Sequence, residues 1–245
     1  MTPRRGLGRA LGPALAGGGA LVLAALLVAL GVWQLQRREW KHALIAATEA
    51  RVHAAPVPVP GRTAWPEVSA ASDAYRRVAA EGRFLYDRET LVRATTALGS
   101  GYWVMTPLQT DDGTVLVNRG FVPPERRDPA TRGEERTEGS VRVTGLLRIT
   151  EPGGGFLRSN DPAADRWYSR DVAAIAARRG LGGTAPFFLD AEAAAGPGRY
   201  PVGGLTVVSF PDNHLVYALT WFGLALLALG GAVTVFRHGG AEAAG

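Results

Sequence analysis

Sulfur-containing side chains are almost absent from this 245-residue sequence, which has no cysteine and only two methionines, Met1 and Met105. Without cysteine there is no disulfide, no thiol nucleophile and no cysteine-ligated zinc site. Two isolated methionines also exclude a methionine-rich copper carrier. The redox compartment stays open, because a cysteine-free chain suits either environment.

Histidine is nearly as scarce, with four residues in the chain. No Gly-x-Ser-x-Gly or His-Glu-x-x-His arrangement occurs, and no sequence pattern pairs carboxylates in a dry pocket. The Gly-rich stretch EPGGGFLRSNDP, residues 151–162, lacks the Gly-Lys-Ser/Thr ending of a phosphate-binding loop and is predicted to be a surface loop. The sequence therefore gives no positive support for an enzyme.

Basic residues exceed acidic ones, 27 against 22, which gives a net charge of +5. They are spread along the chain, whereas nucleic-acid binding is typical of a clustered basic patch. Nucleic acid is therefore not an expected partner, and a membrane surface explains the excess more simply.

Charge is missing altogether from two long stretches. No charged residue lies between Arg9 and Arg37, and 22 uncharged residues separate His214 from Arg237. A helix of that second length rises about 33 Å, enough to cross a hydrocarbon core of about 30 Å. We therefore predict a membrane protein with two transmembrane helices, residues 10–36 and 213–236.

The first apolar stretch also resembles a secretory signal peptide, because three arginines precede it. It is followed by WQLQRREWK, which is bulky and charged, instead of by a cleavage site of small residues. We expect a retained anchor, so that the two spans form a hairpin with the tails, residues 1–9 and 237–245, on one side of the membrane. Charge counting leaves open which side that is, because the rule loses force for a loop this long.

The segment between the spans is long enough to form a domain. Residues 37–72 are predicted to continue the first helix and then to form a linker or extended strap, because the prolines of APVPVPGRTAWP break helix and ladder pairing. Residues 73–212 are predicted to fold as a β-rich (α+β) domain. Its predicted strands are residues 82–86, 90–95, 102–110, 114–122, 141–149, 185–190 and 204–210.

Turn residues and charge separate these strands. Asp-Asp-Gly, ending at Gly113, predicts a hairpin turn because glycine adopts positive φ without steric cost. Apolar residues at helical spacing and a terminal glycine predict a short helix at residues 171–180. The charged residues 123–140 are expected to form a solvated loop.

Aromatic and basic residues gather where both predicted helices meet the domain. Spacings of three and four residues place them on shared helix faces. They are Trp33, Arg37 and Trp40, with Lys41 beside them, and His214, Tyr217 and Trp221. An interfacial belt explains the aromatic residues, because Trp and Tyr favour the headgroup region and arginine snorkels there.

His214 allows two interpretations. Asp212 or Asn213 can cap the second helix, which places His214 in its first turn. The imidazole can then bond to water or a lipid headgroup, or it can ligate haem iron. The basic side chains available for the haem propionates are Arg37, Arg38 and Lys41. The residues alone leave both alternatives open.

Four segments occur in the order GVWQLQRREWK (31–41), VLVNRGFVP (115–123), RWYSRDV (166–172) and NHLVYALTWFGLA (213–225). They resemble the successive signatures of the Surfeit locus protein 1 family, the Shy-type cytochrome c oxidase assembly factors. The resemblance covers nearly the whole chain. It departs from the family at Asp212, where Asn is expected, and at Phe121, where Trp is common. For Arg119 and Gly120 of the NRG signature we expect structural roles, a buried ion pair or cap and a special backbone geometry.

The resemblance implies a multi-pass protein of the cell inner (plasma) membrane, with an extracytoplasmic domain and both termini cytoplasmic. It implies an assembly factor for haem-a-containing cytochrome c oxidase that binds haem a transiently through His214 and aids its delivery to subunit I. The expected further haem contacts are Arg37, Lys41, Tyr217 and Trp221. Subunit I, the lipid bilayer and haem a synthase are the expected partners.

Two questions stay open at this point. The protein can instead be a scaffold that grips immature subunit I by protein contacts and never holds haem. If haem is bound, His42 or His53 can supply a second iron ligand, and His42 is nearer to the end of the first span.

Overall fold

The computed structural model describes residues 6–132, 136–193, 199–206 and 212–243. The chain divides into two compact units, one of residues 1–46 with 209–245 and one of residues 47–208.

Two long helices dominate the first unit. Helix α1 spans Gly6–His53 and helix α4 spans His214–Ala243. By length and composition, the segments Leu15–His53 and His214–His238 are able to cross a membrane. Both predicted apolar helices are thus present, and the predicted helical continuation of the first is confirmed as far as His53. Pro56 follows shortly after, and the residue before a proline is disfavoured in helical geometry.

Small residues line the contact between these helices. Buried positions recur every seven residues, which is close to two helical turns, so each set follows one line along its helix. They are Gly17, Ala24 and Gly31 on α1, and Ala218, Ala225 and Ala232 on α4. The rings of Phe236 and Phe222 occupy the space that a Cβ atom on Gly17 or Gly31 would need. These contacts place the start of α1 beside the end of α4, with close backbone approach permitted by the small side chains.

The second unit is built around a seven-stranded sheet. Its strands are β1 (Val57–Pro58), β2 (Arg77–Phe84), β3 (Thr90–Thr96), β4 (Gly99–Thr110), β5 (Gly113–Val122), β6 (Val141–Ile149) and β9 (Thr184–Ala191). Neighbours run in the order β1-β2-β6-β9-β5-β4-β3, and β2 also pairs with β4. This last pairing, antiparallel at Phe84 and Leu108, closes five strands into a barrel and leaves β1 and β3 at its margins.

Short elements complete the unit. They are α2 (Ala70–Asp73), the small hairpin of β7 (Gly154–Gly155) and β8 (Arg158–Ser159), and α3 (Val172–Arg179). Helix α3 confirms the predicted helix. The Asp171 side chain accepts a hydrogen bond from the Ala174 N–H, and Gly180 ends the helix with φ of 62°.

Two apolar cores lie on opposite sides of the sheet. The barrel interior contains Val78, Ala80, Leu108, Val115, Val117, Leu147, Ala185, Phe187 and Leu189. The second core, beneath α3, contains Val92, Met105, Leu116, Trp167, Val172, Ile175 and Phe188. Successive strand residues point to opposite faces, so β9 contributes to both cores and is apolar along its length.

Most predicted strands are confirmed. The strand predicted at residues 82–86 begins earlier, at Arg77, and ends at Phe84. Gly113 has φ of 135° at the predicted hairpin turn. The strand predicted at residues 204–210 is wrong for 204–206, which have no strand pairing, and its other residues lie outside the described part of the chain.

The proline-rich strap pairs with the sheet, against our expectation. Val57 and Pro58 lie parallel to β2, and the Val59 N–H donates to the Ala79 carbonyl at 2.9 Å. Prolines at alternate positions leave the intervening valine N–H groups available, and a marginal strand tolerates proline.

The predicted solvated loop at residues 123–140 is wrong at Arg132, whose side chain is buried. Two 3-10 turns, Pro124–Arg126 and Pro129–Thr131, precede it. Its guanidinium donates to Glu89 at 3.0 Å and to two backbone carbonyls. A guanidinium with this many acceptors can be buried. The Gly-rich stretch 151–162 lies at the surface, as predicted.

Candidate functional site

His214 lies in the first turn of α4, as the sequence predicts. Its backbone N–H donates to Asp212 Oδ1 at 3.1 Å, so Asp212 caps the helix. The first helical backbone bond runs from the Tyr217 N–H to the Asn213 carbonyl at 3.2 Å. The departure from Asn to Asp at position 212 therefore preserves the cap.

Gln34 of α1 orients the His214 ring. Its Oε1 lies 2.8 Å from His214 Nδ1. In the neutral imidazole, an Nδ1 hydrogen donated to this amide oxygen leaves the lone pair on Nε2. Metal-binding histidines are typically held in this way, with one ring nitrogen donating to an oxygen and the other directed to the metal. The imidazole is half-buried, and in this tautomer its Nε2 can act as a ligand.

Asp212 also contacts two basic side chains of α1. Its Oδ2 lies 2.6 Å from His42 Nε2 and 3.6 Å from Arg38 Nε. The His214 N–H, followed by His42 and Arg38, lowers the pKa of Asp212 below its ordinary value. Since His42 Nε2 is bonded to this carboxylate, the contact gives no support to His42 as a second iron ligand. His53 instead contacts Glu49, at 3.2 Å.

The other predicted haem contacts lie on both helices, Arg37 and Lys41 on α1 and Tyr217 and Trp221 on α4. The Arg37 guanidinium lies 3.9 Å from the ring centroid of Trp40. Tyr217 is exposed, whereas Lys41 and Trp221 are half-buried. Among the described residues, the polar contacts of His214 are with Gln34 and Asp212.

The sequence prediction missed Gln34 because it followed a different face of α1. The aromatic spacing draws attention to Trp33, Arg37 and Trp40, but Gln34, Arg38 and His42 recur every four residues along another face. This second series makes the contacts with His214 and Asp212.

A buried polar cluster lies in the second unit. The Asp190 side chain is 3% exposed and accepts hydrogen bonds from four side chains. The donors are Asn118 at 2.8 Å, Arg148 at 2.7 Å, Arg170 at 3.1 Å and Thr206 at 3.0 Å. Burial would raise the pKa of Glu151 beside them, but hydrogen bonds from Arg170 outweigh burial and lower it.

This cluster joins segments distant in sequence. Asn118 belongs to VLVNRGFVP and Arg170 to RWYSRDV, so two of the recognised segments meet at Asp190. The sequence signal that could have located this cluster was Asp190, a polar residue inside the apolar strand β9. Its two arginines face two carboxylates, so charge is balanced and the cluster links β5, β6 and β9.

The NRG signature has the structural role expected for its glycine. Gly120 has φ of 133°, and a Cβ atom there would collide with the Val202 backbone. The Arg119 guanidinium lies 5.1 Å and 4.9 Å from the ring centroids of Phe84 and Tyr86. Phe121 is buried and packs edge-on to Trp103.

No group of three or more His, Asp or Glu side chains suited to a metal ion occurs in the part of the chain that is described. A single histidine binds iron well when a porphyrin supplies the other ligands. His214 therefore fits haem iron better than a bare metal ion.

Comparison with known proteins identifies the family. The model of the SURF1 family matches residues 21–226. Surfeit locus protein 1 of Rattus norvegicus is 36% identical over 221 residues, which cover 83% of this chain and 70% of the relative. The Homo sapiens protein of the same name is 37% identical over 214 residues, covering 80% and 69%. A SURF1-like protein of Monosiga brevicollis is 35% identical over 225 residues, covering 86% and 84%. The resemblance found in the sequence is confirmed, and the chain belongs to the SURF1 family.

Proposed function

We propose that this protein is a membrane-anchored assembly factor for haem-a-containing cytochrome c oxidase, which holds haem a as transient cargo and passes it to subunit I. The observation that carries this proposal is the hydrogen bond between Gln34 and His214, because the neutral tautomer that donates from Nδ1 would leave Nε2 available to iron. Membership of the SURF1 family is consistent with it.

Two transmembrane helices in a hairpin would anchor the protein in the cell membrane, with both termini cytoplasmic. The length and composition of α1 and α4 support this placement. So does the paired line of small residues, because lipid-embedded helices associate by close packing and not by the hydrophobic effect. Large apolar side chains face outward on α4, as contact with lipid or with a partner helix requires. They include Leu215, Val216, Leu219, Leu226 and Leu227.

The residues near His214 suit an apolar ligand with anionic groups. Tyr217 and Trp221 follow His214 along α4 and would pack against the porphyrin. Arg37 and Lys41 would pair with the propionates, which carry negative charge. A single histidine ligand would hold haem reversibly, as a donor needs. Subunit I and haem a synthase are the proposed partners, since one accepts haem a and the other makes it.

The visible spectrum of detergent-purified protein from cells that make haem a tests the proposal. We expect bound haem a in the wild type and its loss in His214→Ala. His238→Ala is the matched control, because His238 lies on the same helix and bonds to the Thr234 carbonyl at 2.9 Å instead of to α1. Retention of haem in the control and its loss in His214→Ala would support iron ligation by His214.

Other outcomes separate the alternatives. An unchanged haem spectrum in His214→Ala would exclude His214 as the ligand. Absence of haem from both proteins, with subunit I co-purifying, would favour a scaffold that acts without haem.

Gln34 provides a second test of the same site. Gln34→Leu removes the acceptor for the Nδ1 hydrogen, so we expect a shifted Soret band and faster haem dissociation. Gln34→Asn keeps an amide oxygen and should partly restore the wild-type spectrum and dissociation rate. If Gln34→Leu left both spectrum and dissociation rate unchanged, orientation of His214 by Gln34 would be refuted.

A further inference from the structure

A cationic cavity lies beside the β7–β8 hairpin in the second unit. It has a volume of about 330 Å³, and the residues around it include Arg93, Arg158, Tyr102 and Tyr168. Thr95 and Ser100 add hydroxyl groups to its wall, and no Asp or Glu is among its described lining residues. The cavity therefore presents positive charge and hydrogen-bond donors without a compensating carboxylate.

Both cations are held over one aromatic ring. The guanidinium carbons of Arg93 and Arg158 lie 5.7 Å and 5.5 Å from the ring centroid of Tyr168. Within the described residues neither forms an ion pair, whereas nine other arginines of this unit do. Two guanidinium groups positioned in this way favour a phosphate or another oxyanion.

Large apolar side chains project from the rim of the same cavity. Phe156 and Leu157 form the tip of the β7–β8 hairpin and are 92% and 88% exposed. Gly155 and Arg158, which flank this tip, line the cavity. Leu98, in the turn between β3 and β4, is also exposed, at 54%. Leu157 has φ of 57°, which a leucine rarely adopts, so the exposed tip is maintained against a conformational cost.

We propose that this surface, Arg93, Arg158, Phe156 and Leu157, docks onto an anionic phospholipid membrane. A phosphate headgroup would enter the cavity, while the hairpin tip inserts into the interfacial region of the bilayer. Cations attract an anionic leaflet, and aromatic and aliphatic side chains partition into its interface. The inference rests on the proposed membrane location of the chain, but not on haem binding.

The size of the apolar tip favours lipid over a protein partner. A stable protein interface buries about 800 Å² on each side, far more than two side chains on a narrow hairpin supply. Shallow insertion into a membrane requires only a few apolar side chains together with basic residues.

The absence of cysteine makes a direct test possible. The full chain carrying Phe156→Cys is labelled with an environment-sensitive fluorophore and placed in nanodiscs of phosphatidylcholine alone or in equimolar mixture with phosphatidylglycerol. We expect blue-shifted emission and quenching by spin-labelled lipid in the anionic discs. Label at Asp111→Cys, in the exposed β4–β5 turn, should remain in water.

Charge variants identify the cavity as the docking site. Arg93→Gln with Arg158→Gln should lower the ratio of docked to undocked domain about 30-fold, because each arginine near an anionic surface contributes about one kcal/mol. Arg83→Gln with Arg142→Gln removes the same charge from residues that do not line the cavity and should leave the ratio unchanged. If both double variants lowered the docked-to-undocked ratio equally, net charge alone would explain the effect and the assigned site would be wrong.

Two results would overturn membrane docking itself. One is emission from position 156 that equals emission from position 111 in both types of disc. The other is emission that shifts only when oxidase subunit I is present, which would make the surface a protein contact. Neither result alters the haem spectrum, so failure here is distinct from failure of the proposed function.

Discussion

Asp190→Asn isolates the charge of the buried polar cluster. The substitution keeps the shape of the side chain but removes the carboxylate that Arg148 and Arg170 contact at 2.7 Å and 3.1 Å. Both guanidinium groups would then remain largely buried with Glu151 as their remaining carboxylate in the cluster. The new amide hydrogens would also face donors instead of acceptors.

The expected cost follows from burial. Removing one partner of a buried ion pair costs about 3–5 kcal/mol, because the charge that is left stays buried with less compensation. For a domain of this size, 1 kcal/mol shifts the melting temperature by about 2–4 °C. The second unit should therefore melt about 6–20 °C lower. Glu81→Gln is the control, because Glu81 faces Arg142 at 3.3 Å with both side chains more than 60% exposed. Such a surface pair contributes about 1 kcal/mol or less.

Thermal unfolding of the full chain in detergent, followed by tryptophan fluorescence, measures both variants. Trp167 in the second core and Trp103 beside the cluster report on this unit. If Asp190→Asn lowered the melting temperature no more than Glu81→Gln, the reasoning would be refuted. Burial would then not increase the cost of losing a carboxylate.

Three further predictions concern other parts of the chain. Burial would raise the pKa of Glu151, but its guanidinium partner lowers it below the ordinary 4.5, so its stabilising effect should be lost as pH falls through the lowered value. Glu151→Gln should therefore flatten the acid side of a stability–pH curve, and an unchanged curve would contradict this. Gly120→Ala should destabilise the domain by at least about 1–3 kcal/mol in thermal melts, because φ is positive and the new Cβ atom would collide with the Val202 backbone. Gly182→Ala is the control, since a Cβ atom there meets open space and should change stability little. Ala225→Leu should reduce cross-linking between cysteines introduced at the facing ends of α1 and α4, whereas Leu226→Ala, at an exposed position, should not; equal yields would argue against the small-residue contact.

Local patterns predicted most elements of the fold. The residues 141–149 alternate in a way that predicts a strand, and β6 occupies those residues. Asp171 and Gly180 bracket α3 because capping depends on neighbours only a few positions away. The strap at Val57–Pro58 and the backbone at 204–206 were mispredicted, because strand pairing depends on a distant partner and not on composition alone.

The candidate site was predicted only in part. The apolar run and its capping residues locate His214 in the first turn of α4, which needs no knowledge of other elements. Gln34 was missed because two faces of α1 carry regular spacings, and only the packing of α4 shows which face it meets. Asp190 was missed for the same reason, since its four donors come from segments up to 72 residues away.

Composition, periodicity and short motifs were enough to predict which segments are apolar helices, where most strands lie and which family the chain resembles. Tertiary structure alone decided that β2 and β4 close a barrel, that Asp190 joins two recognised segments and that Gln34 orients His214. The physical reason is that hydrogen bonds and ion pairs are short-ranged in space but unrestricted in sequence separation, so the partner of a polar group is set by the packing of whole elements.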